Sequence, residues 1–319
     1  MSSRPERYRL ITRSDFDGLV CAMLLKDMDL LDGIKFVHPK DVQDGKVKVT
    51  DKDILTNLPY VPGCHLCFDH HESEEIRGGD KQAENHILAA DADSAARVVY
   101  DYYGGDERFP EIDQNMMAAV DKADSARFSR NDILAPGGWV LLSFLMDPRT
   151  GLGRFRDFRV ANYELMMNLI DDCNQNSISE VLASPDVAER VELYTAHREL
   201  FCDQIARCST IHGNVVVLDL REEETIYAGN RFVIYALYPE VNASIHIIWG
   251  LNNQNTVLAI GKSILDRSNP HDVGEIALQY GGGGHAAAGT CQVAHGQSAQ
   301  VLGEIVEQLN AEVHEPATA

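Results

Sequence analysis

Asp69-His70-His71 closes a short apolar stretch, Cys64 to Phe68, and sets a carboxylate beside two imidazoles. At the end of a strand such a run offers both oxygen and nitrogen ligands to a divalent metal. Asp15-Phe16-Asp17-Gly18 adds two carboxylates two residues apart, and Asp124 adds another. Carboxylates alone suit Mg²⁺ or Ca²⁺, whereas carboxylate with imidazole suits Mn²⁺, Fe²⁺, Co²⁺ or Zn²⁺. Taken singly, Asp-x-Asp-Gly is a common turn and His-His is more often structural than not. Their joint occurrence points to a metal centre. Near the C-terminus, Gly281-Gly282-Gly283-Gly284-His285 is a second feature with chemistry in it. Consecutive glycines let backbone N–H groups approach an anion and form a nest. His285 can then contact a phosphate or stack on a base, with Lys262 and Arg267 adding charge.

The elements that must hold these residues follow from periodicity. Residues 8–13 read as a buried strand, and Leu19 to Leu31 as an apolar helix after the Asp-x-Asp turn. Ile34–Val37 is a second strand and Lys46–Val49 a third. Ile54–Thr56 precedes a turn at Asn57-Leu58-Pro59, and His65–Phe68 is another strand. Ser94 to Tyr103 has helical spacing and stops at Gly104-Gly105. Strands alternating with helices predict a parallel α/β sheet, whose ligands sit at the carboxyl ends of its strands. Asp15, Asp17, Asn57 and Asp69-His70-His71 all fall there. Residues 110–210 read as mostly helical, with one long charged helix over 185–208. From Asn214 the period turns strand-like, at 215–218, 232–235, 244–249 and 256–260, with helices over 273–280 and 297–309. The tail, 314–319, reads as frayed.

Bulk properties narrow the class. The chain has 319 residues, 45% of them apolar, which predicts one large or two medium globular domains. No window reaches the roughly 18 uncharged apolar residues of a membrane span. With no signal-like N-terminus, a cytoplasmic location and no membrane partner are expected. Seven scattered cysteines suit reduced thiols. The net charge of −21 repels long nucleic acids but not a small phosphorylated ligand beside bound metal.

The sequence resembles the DHH phosphoesterases that carry a C-terminal DHH-associated domain, in the exopolyphosphatase-related, nano-RNase-like subgroup. Four motifs in order carry the resemblance: Ser14-Asp15-Phe16-Asp17-Gly18, Asp69-His70-His71, Ala123-Asp124-Ser125-Ala126-Arg127-Phe128 and Gly281 to Gly289. The resemblance implies a two-metal hydrolysis, usually with Mn²⁺ and with Mg²⁺ or Co²⁺ as alternatives. Carried over by motif, Asp15, Asp17, His70 and Asp124 are metal ligands. Asp69 is either a ligand or the partner that orients a histidine, and His71 touches substrate phosphate or assists proton transfer. Many members have a ligand where Ile11 and Arg13 stand here, so Arg13 is read as a phosphate contact. Another common ligand position holds Asn57, with Asp51 or Asp53 as alternatives. Gly282, Gly283, Gly284, His285 and Arg267, with Ser263 beside it, are the expected substrate contacts. Asp121 is a further carboxylate behind Asp124 if that stretch is helical.

The expected architecture is therefore two α/β domains with a cleft between them. Residues 1–190 form a parallel-sheet metal-binding domain, 191–210 a connector helix, and 211–319 a smaller substrate domain. The expected activity is metal-dependent hydrolysis of short nucleotides to mononucleotides, on linear dinucleotides such as pGpG, short oligoribonucleotides or cyclic dinucleotides. The alternatives are a polyphosphatase or pyrophosphatase, and a metal-bound nucleotide sensor without turnover. A homodimer is compatible with this reading.

Overall fold

In the computed structural model, which describes residues 6–71 and 83–312, the first sheet is parallel throughout. Its strands are β1 (Tyr8–Arg13), β2 (Leu31–Val37), β3 (Asp53–Thr56), β4 (Leu66–Asp69) and β5 (His86–Leu88), in the order β2-β1-β3-β4-β5. Leu10 and Ile11 are both fully buried, so the sheet is covered on both faces, as continuous apolar strands require. Ile11, Leu55 and Cys67 stand side by side in register and pack with Val42, Leu58 and Cys64. The helix α1 (Phe16–Asp27) is buried over its first ten residues, matching its lack of a polar stripe. It packs against α3 (Ala95–Tyr102), α4 (Gln114–Asp124) and α7 (Asn162–Gln175). The short α2 (Pro39–Gln43), α6 (Gly138–Met146) and α8 (Ile178–Ala183) complete this unit.

Strand β1 pairs with β2 on one side and β3 on the other. The chain order therefore reverses at β1, and in such sheets ligands bind outside the carboxyl ends at that point. Asp15 and Asp17 follow β1, Asn57 follows β3, and Asp69 ends β4 before His70 and His71.

The second unit has a six-stranded mixed sheet in the order β10-β11-β9-β8-β7-β6. Its strands are β6 (Ser209–His212), β7 (Val215–Asp219), β8 (Ala243–Trp249), β9 (Thr256–Lys262), β10 (Gly283–His285) and β11 (Ala288–Val293). Ala243, Ile245, Ile247, Leu258 and Ile260 alternate toward a core shared with Val273 and Ala277 of α11 (Val273–Gln279) and Ile305 of α12 (Ser298–Asn310). The long helix α9 (Pro185–Cys208) divides between the two units after Leu193. The second unit also takes residues 128–135, with the short α5 (Arg130–Leu134): Phe128 packs on Phe232, and the Arg130 guanidinium donates to the Ala236 carbonyl. A boundary near 190 would have left that segment in the first domain.

Two local expectations differ from the structure, and some strands lie where none is expected. Residues 46–49 are not a strand, because Val47 and Val49 are used as side-chain cover over the Ile11–Leu55 cluster rather than in a ladder. Residues 233–237 form a helix, α10, whose Tyr235 hydroxyl meets Ser244 Oγ at 2.7 Å on the sheet. The unanticipated strands are β5, whose three residues are too short to show a period, and β6, β10 and β11. The expectation for 314–319 lies outside the described residues. Among the described residues, no helix is long and apolar enough to cross a membrane, and the seven cysteines form no disulfide.

Candidate active site

Asp15 is the N-cap of α1 and accepts from the Gly18 N–H at 3.0 Å. Asp17, two residues on, is buried and reaches across to another helix. Its two oxygens accept from the Ala95 and Ala96 N–H groups at 3.1 and 2.7 Å, in the first turn of α3. A helix N-terminus carries partial positive charge, so it is a suitable seat for a carboxylate. That turn is itself fixed. Ser94, its N-cap, donates to Asp121 Oδ1 at 2.7 Å, and Arg97 grips Asp121 Oδ2 through two nitrogens. Asp121 thus acts on α3, which in turn holds Asp17.

From β4, Asp69 Oδ1 accepts from the His70 and His71 backbone N–H groups and from His71 Nδ1 at 2.6 Å. His70 Nδ1 lies 3.2 Å from the Ala92 carbonyl, an acceptor that requires the proton on Nδ1. Nε2 then presents its lone pair toward Asp17 and Asp124, the last residue of α4. Asp17, His70 and Asp124 have ligand atoms all within 4.8 Å of one another. His70 Nε2 is 2.7 Å from Asp124 Oδ2 but makes no well-formed hydrogen bond there. A neutral imidazole lone pair facing a carboxylate oxygen needs a cation between them, a proton or a metal. Asn57 Oδ1 and Asp69 Oδ2 are also buried without a hydrogen-bond partner. Asn57 donates its Nδ2 to Asp15 Oδ1 at 3.4 Å, which leaves Oδ1 as the free side. All these unpaired atoms are ligand types, so the donor set fits a divalent metal.

The electrostatics agree. Burial pushes Asp17 well above the usual carboxylate range, and the Asp124 charge adds to this. Asp15 is raised chiefly by burial, against the pull of the Arg13 and Arg149 guanidinium groups. Burial opposes a charged His70, yet Asp124, Asp17 and Asp69 overcome it and raise the imidazole to about 9. The same partnership holds Asp124 below the ordinary range despite burial. Without a metal, the cluster relieves its excess negative charge by holding protons.

In the second unit the glycine run is an edge strand. Gly283, Gly284 and His285 pair antiparallel with Thr290, Gly289 and Ala288. A Cβ on Gly284 would sit 2.2 Å from the Ala288 carbonyl oxygen, and one on Gly282 2.1 Å from that of Thr290. Gly283 faces open space. Close packing therefore explains Gly282 and Gly284, whereas nothing structural demands glycine at Gly283. His285 Nδ1 accepts from the Ala287 N–H, and Arg267 Nε donates to the Ile264 carbonyl. Lys262 spends its ammonium on the Asn269 and His271 carbonyls.

No family model matches the chain, and neither does any curated protein. Among solved structures, the pGpG-specific phosphodiesterase PggH of Vibrio cholerae is 58% identical, covering 96% of this chain and 100% of that one with a TM-score of 0.85. This chain belongs to the DHH phosphoesterase family. It is a phosphoester-hydrolysing enzyme. CDC45 of Entamoeba histolytica matches over 95% or more of each chain, at 9% identity and TM-score 0.52, a likeness of fold alone. RecJ of Thermus thermophilus with Mn²⁺ matches at 12% identity and TM-score 0.48, over 95% of this chain and 52% of that one.

Asp53 stands at the start of β3, bound by Arg9 at 2.7 Å and by Thr50, at the opposite end of the strand from the site. Asp51 is exposed in the preceding turn. Asn57 is the residue of these three that reaches the cluster. Its φ of +53° places it in the left-handed region, which asparagine tolerates better than most residues. Arg13 Nε is 2.9 Å from Asp15 Oδ2. Sequence reasoning missed Arg149, whose charge acts on both Asp15 and Asp124. It sits 25 residues past Asp124, and no motif announces it.

Proposed function

We infer that this enzyme hydrolyses the phosphodiester bond of short linear dinucleotides, pGpG above all, to mononucleotides, with Mn²⁺ as its metal. The observation that carries the reading is the convergence of Asp17, His70 and Asp124, together with the unpaired Asn57 Oδ1 and Asp69 Oδ2. The specificity of the 58% identical PggH supports the substrate. Asp15, Asp17, His70 and Asp124 hold the metals, and Asn57 and Asp69 supply further oxygens. When bound, the metals supply positive charge that acidifies a water and polarises the phosphoryl group.

The remaining roles belong to the chain's own atoms. Asp69 Oδ1 holds the His71 ring through Nδ1 and leaves Nε2 of this partly exposed residue available to carry a proton. Arg13 gives a positive contact to a phosphate. Gly282, Gly283, Gly284, His285 and Arg267 contact the nucleotide. The net charge of −21 works against long nucleic acid. The sensor reading rested on ligands missing at positions 11, 13 and 57; Asn57 still brings an oxygen to the site, so that reading loses support.

The test is release of mononucleotide from pGpG by purified protein across a metal panel. Mn²⁺-dependent release is expected, with His70→Ala and Asp124→Ala losing more than about 10³-fold in kcat/KM. No turnover of any dinucleotide, or variants within a few-fold of the parent, would overturn the reading.

A further inference from the structure

Arg149 stands on a hydrogen-bonded turn that borders the site, with its side chain 55% exposed. Asp147 caps the 3-10 turn Pro148–Thr150 and accepts from the Arg149 backbone N–H at 2.9 Å. The same oxygen accepts from Arg149 Nε at 2.7 Å. Thr150 is buried, with its hydroxyl on the Phe144 carbonyl, and Gly151 turns the chain at φ +84°. The Arg154 guanidinium fills the space where a Cβ on Gly151 would be. A cavity of about 80 Å³ is lined by Ser14, Asp147 and Pro148 among others, so the turn borders the residue that precedes Asp15. Arg149 acts electrostatically on Asp15 and on Asp124.

Asp147 occupies only the Nε side of the guanidinium. Among the described residues, neither terminal nitrogen of Arg149 has a hydrogen bond. An arginine fork next to a cluster of carboxylates would normally pair with one of them, bidentately if the geometry allowed. Here Nε is taken by Asp147 instead. A planar pair of donors held beside a metal-type centre matches two oxygens of a phosphoryl group. Its charge also compensates that of a substrate phosphate entering beside the clustered carboxylates.

We propose that Arg149 is a catalytic residue of this centre, gripping the non-bridging oxygens of the reacting phosphodiester through its two terminal nitrogens, with Asp147 as its positioning residue. The proposal rests on the phosphodiesterase reading above. The grip strengthens as negative charge accumulates on the phosphoryl oxygens, so the loss falls on kcat more than on KM. Lysine at the position keeps the charge but not the fork.

The experiment compares wild type with Arg149→Gln, Arg149→Lys, Arg149→Ala and Asp147→Asn. Four readouts are taken: pGpG turnover, calorimetric Mn²⁺ affinity, inhibition by inorganic phosphate, and thermal melting. Arg149→Gln is expected to lose about 100-fold or more in kcat/KM, weaken inhibition by phosphate, and keep Mn²⁺ affinity within about threefold. Arg149→Lys regains part of the loss, and added methylguanidinium raises the turnover of Arg149→Ala. Asp147→Asn gives a smaller loss that vanishes in an Arg149→Gln background. A merely structural arginine would shift melting without the phosphate effect or the rescue. Arg149→Gln within threefold of wild type in kcat/KM overturns the proposal. If wild type itself cleaves no dinucleotide, the function reading fails. Arg149 is then judged by phosphate affinity, and equal affinity in Arg149→Gln overturns it.

Discussion

Metal uptake must displace a proton from His70, and the size of that penalty can be worked from the structure. The imidazole sits at about 9 because Asp124, Asp17 and Asp69 surround it, against the effect of burial. A metal ligand must be unprotonated. At pH 7 the proton is held two units below that value, and each unit is worth about 1.36 kcal/mol. Removing it costs about 2.7 kcal/mol, which weakens apparent affinity about 100-fold. Apparent Mn²⁺ affinity should therefore rise about tenfold per pH unit between pH 7 and 9 and then flatten. Each binding event at pH 7 should release about one proton from His70, with any from the raised Asp17 in addition. Calorimetric titration in two buffers of different ionisation enthalpy counts those protons directly. Affinity that stays flat from pH 6.5 to 9 with no proton release would refute the reasoning. His70→Ala, which removes the titrating ligand, should abolish the slope.

Other outcomes follow from the same geometry. The His70 value is raised on folding, so in metal-free protein it stabilises the fold fully below about pH 6.5, by at most about 3.4 kcal/mol. That contribution is lost as pH rises through about 9, so metal-free protein should melt lower at pH 9 than at pH 6.5, with Mn²⁺ restoring it. Asn57→Asp should raise Mn²⁺ affinity by placing a charge where only an amide oxygen stands. Asn57→Ala should lower it about 10- to 100-fold and also lose stability from strain at φ +53°, and Asn57→Gly, by calorimetry and melting, separates the two effects. Gly284→Ala should destabilise by more than about 2 kcal/mol through overpacking, because its Cβ would meet backbone at 2.2 Å. Gly283→Ala should melt like wild type, so a rise in its KM for pGpG would report on substrate alone.

What the sequence made legible was whatever is written locally. The Asp-x-Asp turn, the Asp-His-His strand end and the parallel sheet were readable because strand runs and their terminal residues are contiguous. Asp53 and Asn57 could not be separated by composition, only by which end of β3 each occupies. Residues 233–237 show the limit of period-based reading: Val, Ile and Tyr favour a strand, and the tertiary bond from Tyr235 to Ser244 wins. Arg149 and the seating of Asp17 on α3 depend on contacts across tens of residues of chain, which no local pattern encodes. The glycine run reads as an anion nest from its sequence, and the structure adds a packing reason for Gly282 and Gly284 that no local pattern shows.

The excursion of residues 128–135 into the second unit has a practical consequence for dissecting this enzyme. The polypeptide passes from one unit to the other after 127, 135 and 193. Severing the backbone near 193 would not yield two independent pieces. The upstream fragment would still carry Phe128 and Ile133, whose burial belongs to the other half. Expressed alone, it would display those apolar side chains to solvent and tend to aggregate. Expressed beside residues 194–319, it is instead suited to reassembly from two polypeptides, with 128–135 as the tether.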